Sequence, residues 1–377
     1  MNDSLIFTDD VDQDRVANEI SVPTTAYIRG SDTVISPGSV LGEEGPVVLE
    51  NCQVGRGVRL KGGYYRNAVF LDGSSMGSGA HIREGTLVEE QASGAHSVGL
   101  KQTILFPFVT AGSLINFCDA LIAGGTSRKD HSEIGSSFVH FNYTPSQDKA
   151  TASLFGDVEH GVFLRERPVF LGGQSGAVGP LRVAYGTALG AGSILRHDQL
   201  EPNRLIIPDT NTRNVALRLP LYRNLKRILD RNIGYIAQLM ALREWYGEIR
   251  LRCVRDAYDQ AVYEGAVELL SASVAERLHR LNEVIKRVAE SHQMGNVNAL
   301  PDKERKFQAD VVANWKAVDA CQAVVDHQAP TELLSQFDSQ NEYIESVQQL
   351  PLPAVKSGQA WLRSIITSIE KSMIHYE

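Results

Sequence analysis

The chain has 377 residues, 43% apolar and 22% charged, a composition that fits a globular protein large enough for two domains. Its formal charge of −8 disfavours nucleic acid as the main partner, because phosphate binding needs a basic footprint; a small anion held by a few local cations remains compatible. No apolar run approaches the roughly 18 residues of a membrane span, and the acidic start MNDSLIFTDDVDQDR is unlike a signal or transit peptide. A cytoplasmic location without membrane association is therefore expected. The four cysteines, Cys52, Cys118, Cys253 and Cys321, form no CxxC pair and no cluster with histidine, so neither a disulfide framework nor a metal site is expected.

Residues 1–30 are read as a lead-in segment, 31–205 as a repeat domain and 206–377 as an α-helical domain. Glycine marks the division: 27 of its 32 occurrences lie at or before Gly192. The first half repeats with a step of six. Val48, Val54 and Leu60 keep the step, as do Met76, Ile82 and Val88, then Val98, Ile104, Thr110, Asn116 and Ile122, and finally Leu171, Ala177, Val183, Leu189 and Leu195. A helix would want apolar spacings of three and four, and a half-buried strand a spacing of two. A period of six suits short strands joined by tight turns, with one inward residue per strand and glycine supplying the turn conformations. Such a rung cannot bury its apolar side alone and must stack on its neighbours. The phase slips near 61–68 and 155–168, where loops are expected to leave the stack.

From about residue 211 the sequence reads as helices, over 212–265, 302–328, 331–350 and 354–376. Pro208 and Pro220 bracket polar residues at the boundary. Val274, Leu278, Leu281, Ile285 and Val288 form one apolar stripe, a packing face within a bundle or between subunits, with Ser273 and Glu276 as a capping box at its start.

Hexapeptides such as VGRGVR and LGAGSI resemble those of the hexapeptide-repeat transferases, and this resemblance implies a left-handed parallel β-helix. Its hand opposes the usual crossover rule and comes from the resemblance alone. Within that class the chain looks most like the acetyltransferase half of the bifunctional enzyme that makes UDP-N-acetylglucosamine. Ile134-Gly135 precedes Asn142-Tyr143 by the family's interval of eight, Lys149 follows, ASGAHSVG (92–99) is similar to the segment that carries the catalytic base, and 169–198 matches the closing coils.

The resemblance implies a homotrimer that uses acetyl-CoA to acylate an amino sugar or sugar phosphate in nucleotide-sugar metabolism. Imidazole suits amine deprotonation near neutral pH. His96 is the expected base, with His140 and His131 as alternatives. Asn116, Asn142 and Tyr143 are expected to contact substrate. Lys149 and Lys101 are candidates for phosphate, and each can equally be a solvated lysine. Asn116 breaks the apolar phase and can belong instead to an internal asparagine ladder. The coil at 171–192, with Gly173 and Ala191, would line the acyl-CoA groove.

Three features depart from the family. Gly173 stands where the family has serine, the segment GDVEHGVFLRER (156–167) has no counterpart, and no glycine-rich loop with a following arginine and lysine, expected of a nucleotidyltransferase half, occurs at the start. The alternative reading is a non-catalytic β-helix: a scaffold, or a sugar-nucleotide-binding regulatory subunit of a nucleotidyltransferase. On that reading the helical domain contacts a protein partner.

Overall fold

Leu171, Ala177, Val183, Leu189 and Leu195 are all buried, and each lies on a successive short strand. The period of six is therefore three strands per 18-residue circuit, and the computed structural model, which describes residues 5–207, 220–315, 328–339 and 341–373, is a parallel β-solenoid of about 11 turns followed by a helical region. The strands stack in three rows. The first row contains Ala26–Arg29, Val47–Glu50, Gly63–Arg66 and Ala80–Ile82; the second contains Val34–Ile35, Gln53–Val54, Ala68–Phe70 and Thr86–Val88; the third runs from Val40–Leu41 to Leu205–Ile206. Two eight-residue strands, Val98–Leu105 and Ile115–Ile122, pass from the first row into the second without a break.

Some periodic residues are one place out of phase. Val47 and Leu49 point inward rather than Val48, Ala111 rather than Thr110, and Phe117 rather than Asn116. A strand alternates sides, so a slip of one residue exchanges inside for outside. The expected loop at 61–68 is not there: Gly63–Arg66 pairs with strands on both sides and buries Tyr65. The expected excursion at 155–168 is present, and the chain leaves the stack twice more, at 123–132 and 142–152. The stack also starts inside the expected lead-in, because Leu5–Phe7 and Ala26–Arg29 pair with each other and extend the first row.

Glycine does two different jobs. Gly57 has a φ of +62°, the left-handed turn conformation. Gly135, the glycine directly after an inward residue, is needed for closeness: a Cβ there would sit 2.4 Å from the Gly173 nitrogen in the next coil.

In the second half, α2 (Leu225–Glu248), α3 (Ala257–Gln293), α4 (Asp302–Asn314), α5 (Thr331–Gln336), α6 (Tyr343–Gln348) and α7 (Leu352–Met373) pack into one core with the solenoid. The expected helix over 212–265 is two helices separated by a 3₁₀ turn at Arg250–Cys253, and its first residues, 212–219, lie outside the described residues. Of the expected 302–328 helix, 316–327 lie outside as well, and 331–350 is broken between α5 and α6. Ser273 is no cap: it lies inside the 37-residue α3, whose N-cap is Asp256, accepting from the backbone N–H of Tyr258 and Asp259. Helix α3 lies along the second row, against Val34–Ile35, Gln53–Val54, Ala68–Phe70 and Thr86–Val88.

The unmatched segment 156–167 is the seat of this helical layer. It forms α1 (Val158–Gly161), whose first N–H donates to Gln238 at 2.6 Å, and Phe163 packs edge-on against Trp245 with ring centres 5.2 Å apart.

Candidate functional site

The coil corner between the third and first rows repeats a fixed pattern. Ser97, Leu114, Ser137, Gln174 and Gly192 all take left-handed φ, so the residues just before them, His96, Ser113, Ser136, Gly173 and Ala191, occupy equivalent places on successive coils. Strand register agrees, pairing Gly94, Ala111, Ile134, Leu171 and Leu189 in order. The expected base and the two residues expected to contact the acyl donor thus share one column. In a three-row prism this corner stands opposite the second row, the one covered by α3.

His96 is exposed, with its Nδ1 2.8 Å from the Ser113 hydroxyl. Ser113 is in turn placed by its N–H, which donates to Ser136 Oγ at 3.2 Å. Among the described residues Ser113 is the one hydrogen-bond partner of the imidazole. With the proton on Nδ1 and donated to Ser113, the Nε2 lone pair is left for chemistry. Sequence reasoning missed Ser113 and Ser136. The signal was small residues at matching places in TAGS and IGSS, visible only once the coils are in register.

Asn116 follows three residues after Ser113 on the outer side of the first row, exposed, and its register neighbours are Gly99 and Val139. It therefore forms no internal asparagine ladder. Lys101 lies on the same row, its ammonium 2.6 Å from the Glu84 carboxylate.

Asn142, Tyr143 and Lys149 stand elsewhere, in the 142–152 excursion at the corner between the first and second rows. Tyr143 is 68% exposed, Lys149 is exposed, and Asn142 accepts from the Thr151 hydroxyl at 2.7 Å. The other side of this loop seats the helices: Tyr222 donates to Asp148 at 2.8 Å and Asn232 to the Ala150 carbonyl at 3.1 Å. Asn142 thus lies two coils beyond His96 and at the far end of the first row.

His140 points inward, in register with Ala177 and only 3% exposed, between the rings of Phe117 and Phe155. Its Nε2 lies 2.8 Å from Ser153 Oγ. Since Ser153 accepts from the Leu181 N–H, its own proton is available to that nitrogen. Burial pushes the imidazole down to about 4, so it is neutral and walled off from any surface groove. His131 sits in the small antiparallel hairpin of the 123–132 excursion, half-buried, its Nδ1 3.1 Å from the Ser132 carbonyl.

Among the described residues, Asp157, Glu159 and His160 bring potential metal-ligand atoms within 4.8 Å of one another. Arg363 already occupies that group, 3.3 Å from Glu159 and 3.2 Å from His160 Nε2. None of the described helices is long and apolar enough to cross a membrane.

The fold is a parallel β-helix of hexapeptide repeats joined to a helical layer. The chain is similar to the bifunctional protein GlmU of Thermotoga maritima, 28% identical over an alignment of 191 residues that covers 47% of this chain and 39% of that protein. It is 24% identical to the same-named protein of Thermodesulfovibrio yellowstonii over 186 residues, 49% of this chain and 39% of the relative. The protein of that name from Shouchella clausii is 26% identical over 191 residues, 47% and 38% of the two chains. The matched region thus spans about two fifths of these relatives. No family model matches the chain.

Proposed function

We propose that the protein is an acyl-CoA-dependent transferase, acting with acetyl-CoA on the amine of an amino sugar or sugar phosphate in nucleotide-sugar metabolism, as a cytoplasmic homotrimer. The observation that carries this reading is the shared column of His96, Gly173 and Ala191 on the corner left open by the helices. In the proposed reaction, His96 Nε2 takes a proton from the amine as its nitrogen attacks the thioester carbonyl. The tetrahedral oxyanion is met by N–H donors, and the carbon–sulfur bond then breaks to release coenzyme A as thiol. Ser113 holds the ring in the tautomer this needs. Asn116, three residues along the next coil, would bond sugar hydroxyls. A neighbouring prism set against the first row would bring its own Asn142, Tyr143 and Lys149 toward the corner and exclude water.

Incubating the purified protein with acetyl-CoA and glucosamine 1-phosphate, with free thiol followed continuously, tests this. The reading expects turnover whose kcat His96→Ala lowers about a hundredfold or more and that His140→Leu retains. Turnover surviving His96→Ala would reassign the base.

One observation favours the second reading, a sugar-nucleotide-binding scaffold or regulatory subunit: within one chain, Asn142 and Tyr143 lie at the opposite corner from His96. No thiol release across a panel of amino sugars, together with a thermal shift from UDP-sugars, would support it.

A further inference from the structure

A small cavity of about 140 Å³ lies on the seam between the solenoid and the helices, away from the His96 corner. Asp72, Glu90 and Gln91 line it from the solenoid, and Cys253, Arg255 and Tyr263 are among its helical-side walls. Glu90 is 6% exposed, and its two oxygens have different fates. Oε1 is bonded by the guanidinium of Arg250, whereas Oε2 is buried without a partner among the described residues. An orphaned buried carboxylate oxygen loses its hydration without a replacement, and it calls for a donor.

Among the described residues the one cation in the wall, Arg255, cannot supply it. Arg255 is already engaged by Asp72, Asp259 and Glu342. Arg250, just behind, divides itself between Glu89 and Glu90. Three carboxylates and a single guanidinium line the space, so its field is negative. Tyr263 and Tyr343 add aromatic surface. Asn341, whose Nδ2 is spent on Asp338, leaves a carbonyl oxygen as a further acceptor in the wall.

We propose that this cavity is a binding site for a small ammonium-type cation, a primary amine of one or two carbons or ammonium itself, whose N–H groups donate to Glu90 Oε2. A compact cation with several N–H donors meets both the missing hydrogen bond and the missing charge. Bare divalent metals fit less well, because Arg250 holds Glu90 Oε1 and Arg255 holds the Asp72 and Glu342 carboxylates, which leaves Glu90 Oε2 alone to ligate. Since the walls come from both halves of the protein, an occupant fastens one to the other and stabilises the folded chain by mass action.

The test is a thermal-shift titration of the full chain with ammonium chloride and methylammonium chloride. Sodium chloride and tetramethylammonium chloride at equal ionic strength serve as references. The site expects a saturable rise in melting temperature with the first two salts and none with the others. In Glu90→Gln the apparent Kd should rise at least about tenfold, a loss of about 1.4 kcal/mol, while the remote Glu44→Gln responds as the parent does. Should Glu90→Gln fail to fold, the contrast between methylammonium and tetramethylammonium on the unaltered protein still decides. Equal responses to all four salts, no response to any, or an undiminished response in Glu90→Gln would each overturn the proposal.

Discussion

Arg277 on α3 holds its Nη2 3.0 Å from the Asp119 carboxylate, with the two side chains only 3% and 9% exposed. Asp119 occupies a left-handed position (φ +57°) where the strand Ile115–Ile122 turns from the first row into the second. The pair thus fixes the longest helix to a bend of the solenoid. Among the described residues Arg277 Nε and Nη1 have no hydrogen-bond partner, so the guanidinium depends on this one carboxylate and on Glu276 at 3.8 Å.

Removing the charge from Asp119 should therefore be severe. Asp119→Asn keeps a residue that tolerates the left-handed backbone, and so isolates the electrostatic loss. The expected cost is about 3–5 kcal/mol, that of stranding a buried charge, read as a shift in the urea midpoint. Adding Arg277→Met should recover at least about 1 kcal/mol of it. An Asp119→Asn protein as stable as the parent would show that the pair does not hold the halves together.

Acid should loosen the protein through His140. Burial holds its imidazole down at about 4, below the ordinary value of 6.5. Below 6.5 the unfolded chain takes up a proton that the folded chain refuses. Stability is fully present above that pH and is lost as pH falls toward 4. The loss there should be about 3 kcal/mol, two and a half pKa units at about 1.4 kcal/mol each. His140→Leu should flatten this part of the stability–pH curve, measured by urea unfolding at intervals from pH 7 down to 4. A slope unchanged by the substitution would place the acid sensitivity elsewhere.

The solenoid was legible in the sequence because its coils are built from local residues, and Leu171 to Leu195 carry the 18-residue repeat without interruption. His140 was misleading for a physical reason. In register with Ala177 it fills an inward place, and only Ser153, thirteen residues on, makes a polar group tolerable there. Asn116 looked inward because the coil before it has 17 residues, one short of the regular 18, so that Val98 stacks on Ile115; a period count cannot see such a slip, whereas strand pairing reveals it at once. The helical layer was legible as helices but not as a cover for the second row. That docking rests on Arg250, Arg277 and the 156–167 seat, each reaching across a hundred residues or so. The His96 column became visible only after the coils were aligned, since its members are separated by unequal loops.

The glycine after the inward Ile134 makes a prediction independent of function. Gly135 has no left-handed requirement, yet a Cβ would press on backbone: Gly173 N at 2.4 Å and Leu171 O at 2.7 Å. Gly45 has open space around its Cβ position and no left-handed φ. Gly135→Ala should therefore destabilise by at least about 1–3 kcal/mol, as overpacking does. Gly45→Ala should be neutral or stabilise by up to about 1 kcal/mol through the unfolded chain. Parallel thermal melts of the two variants separate close coil stacking from general intolerance of alanine.

The corner column gives the sharpest test of how the acyl donor would bind. Ala191 is exposed and shares the equivalent place with His96, three coils beyond Ser113, so a large side chain there can project outward without disturbing the inward Leu189. If acyl-CoA lies along this corner, Ala191→Trp should obstruct it while the protein folds normally. The expected signature is a KM for acetyl-CoA raised about tenfold or more, equivalent to about 1.4 kcal/mol of lost binding, with kcat for saturating substrate changed little. His96→Ala should show the reverse pattern, losing kcat with the acetyl-CoA KM nearly unchanged, because a base acts on the amine rather than on the donor. Paired kinetics on the two variants thus separate binding from proton transfer along one edge of the solenoid. An Ala191→Trp enzyme with unaltered acetyl-CoA KM would move the donor off this corner and leave His96 without the neighbour that its assignment needs.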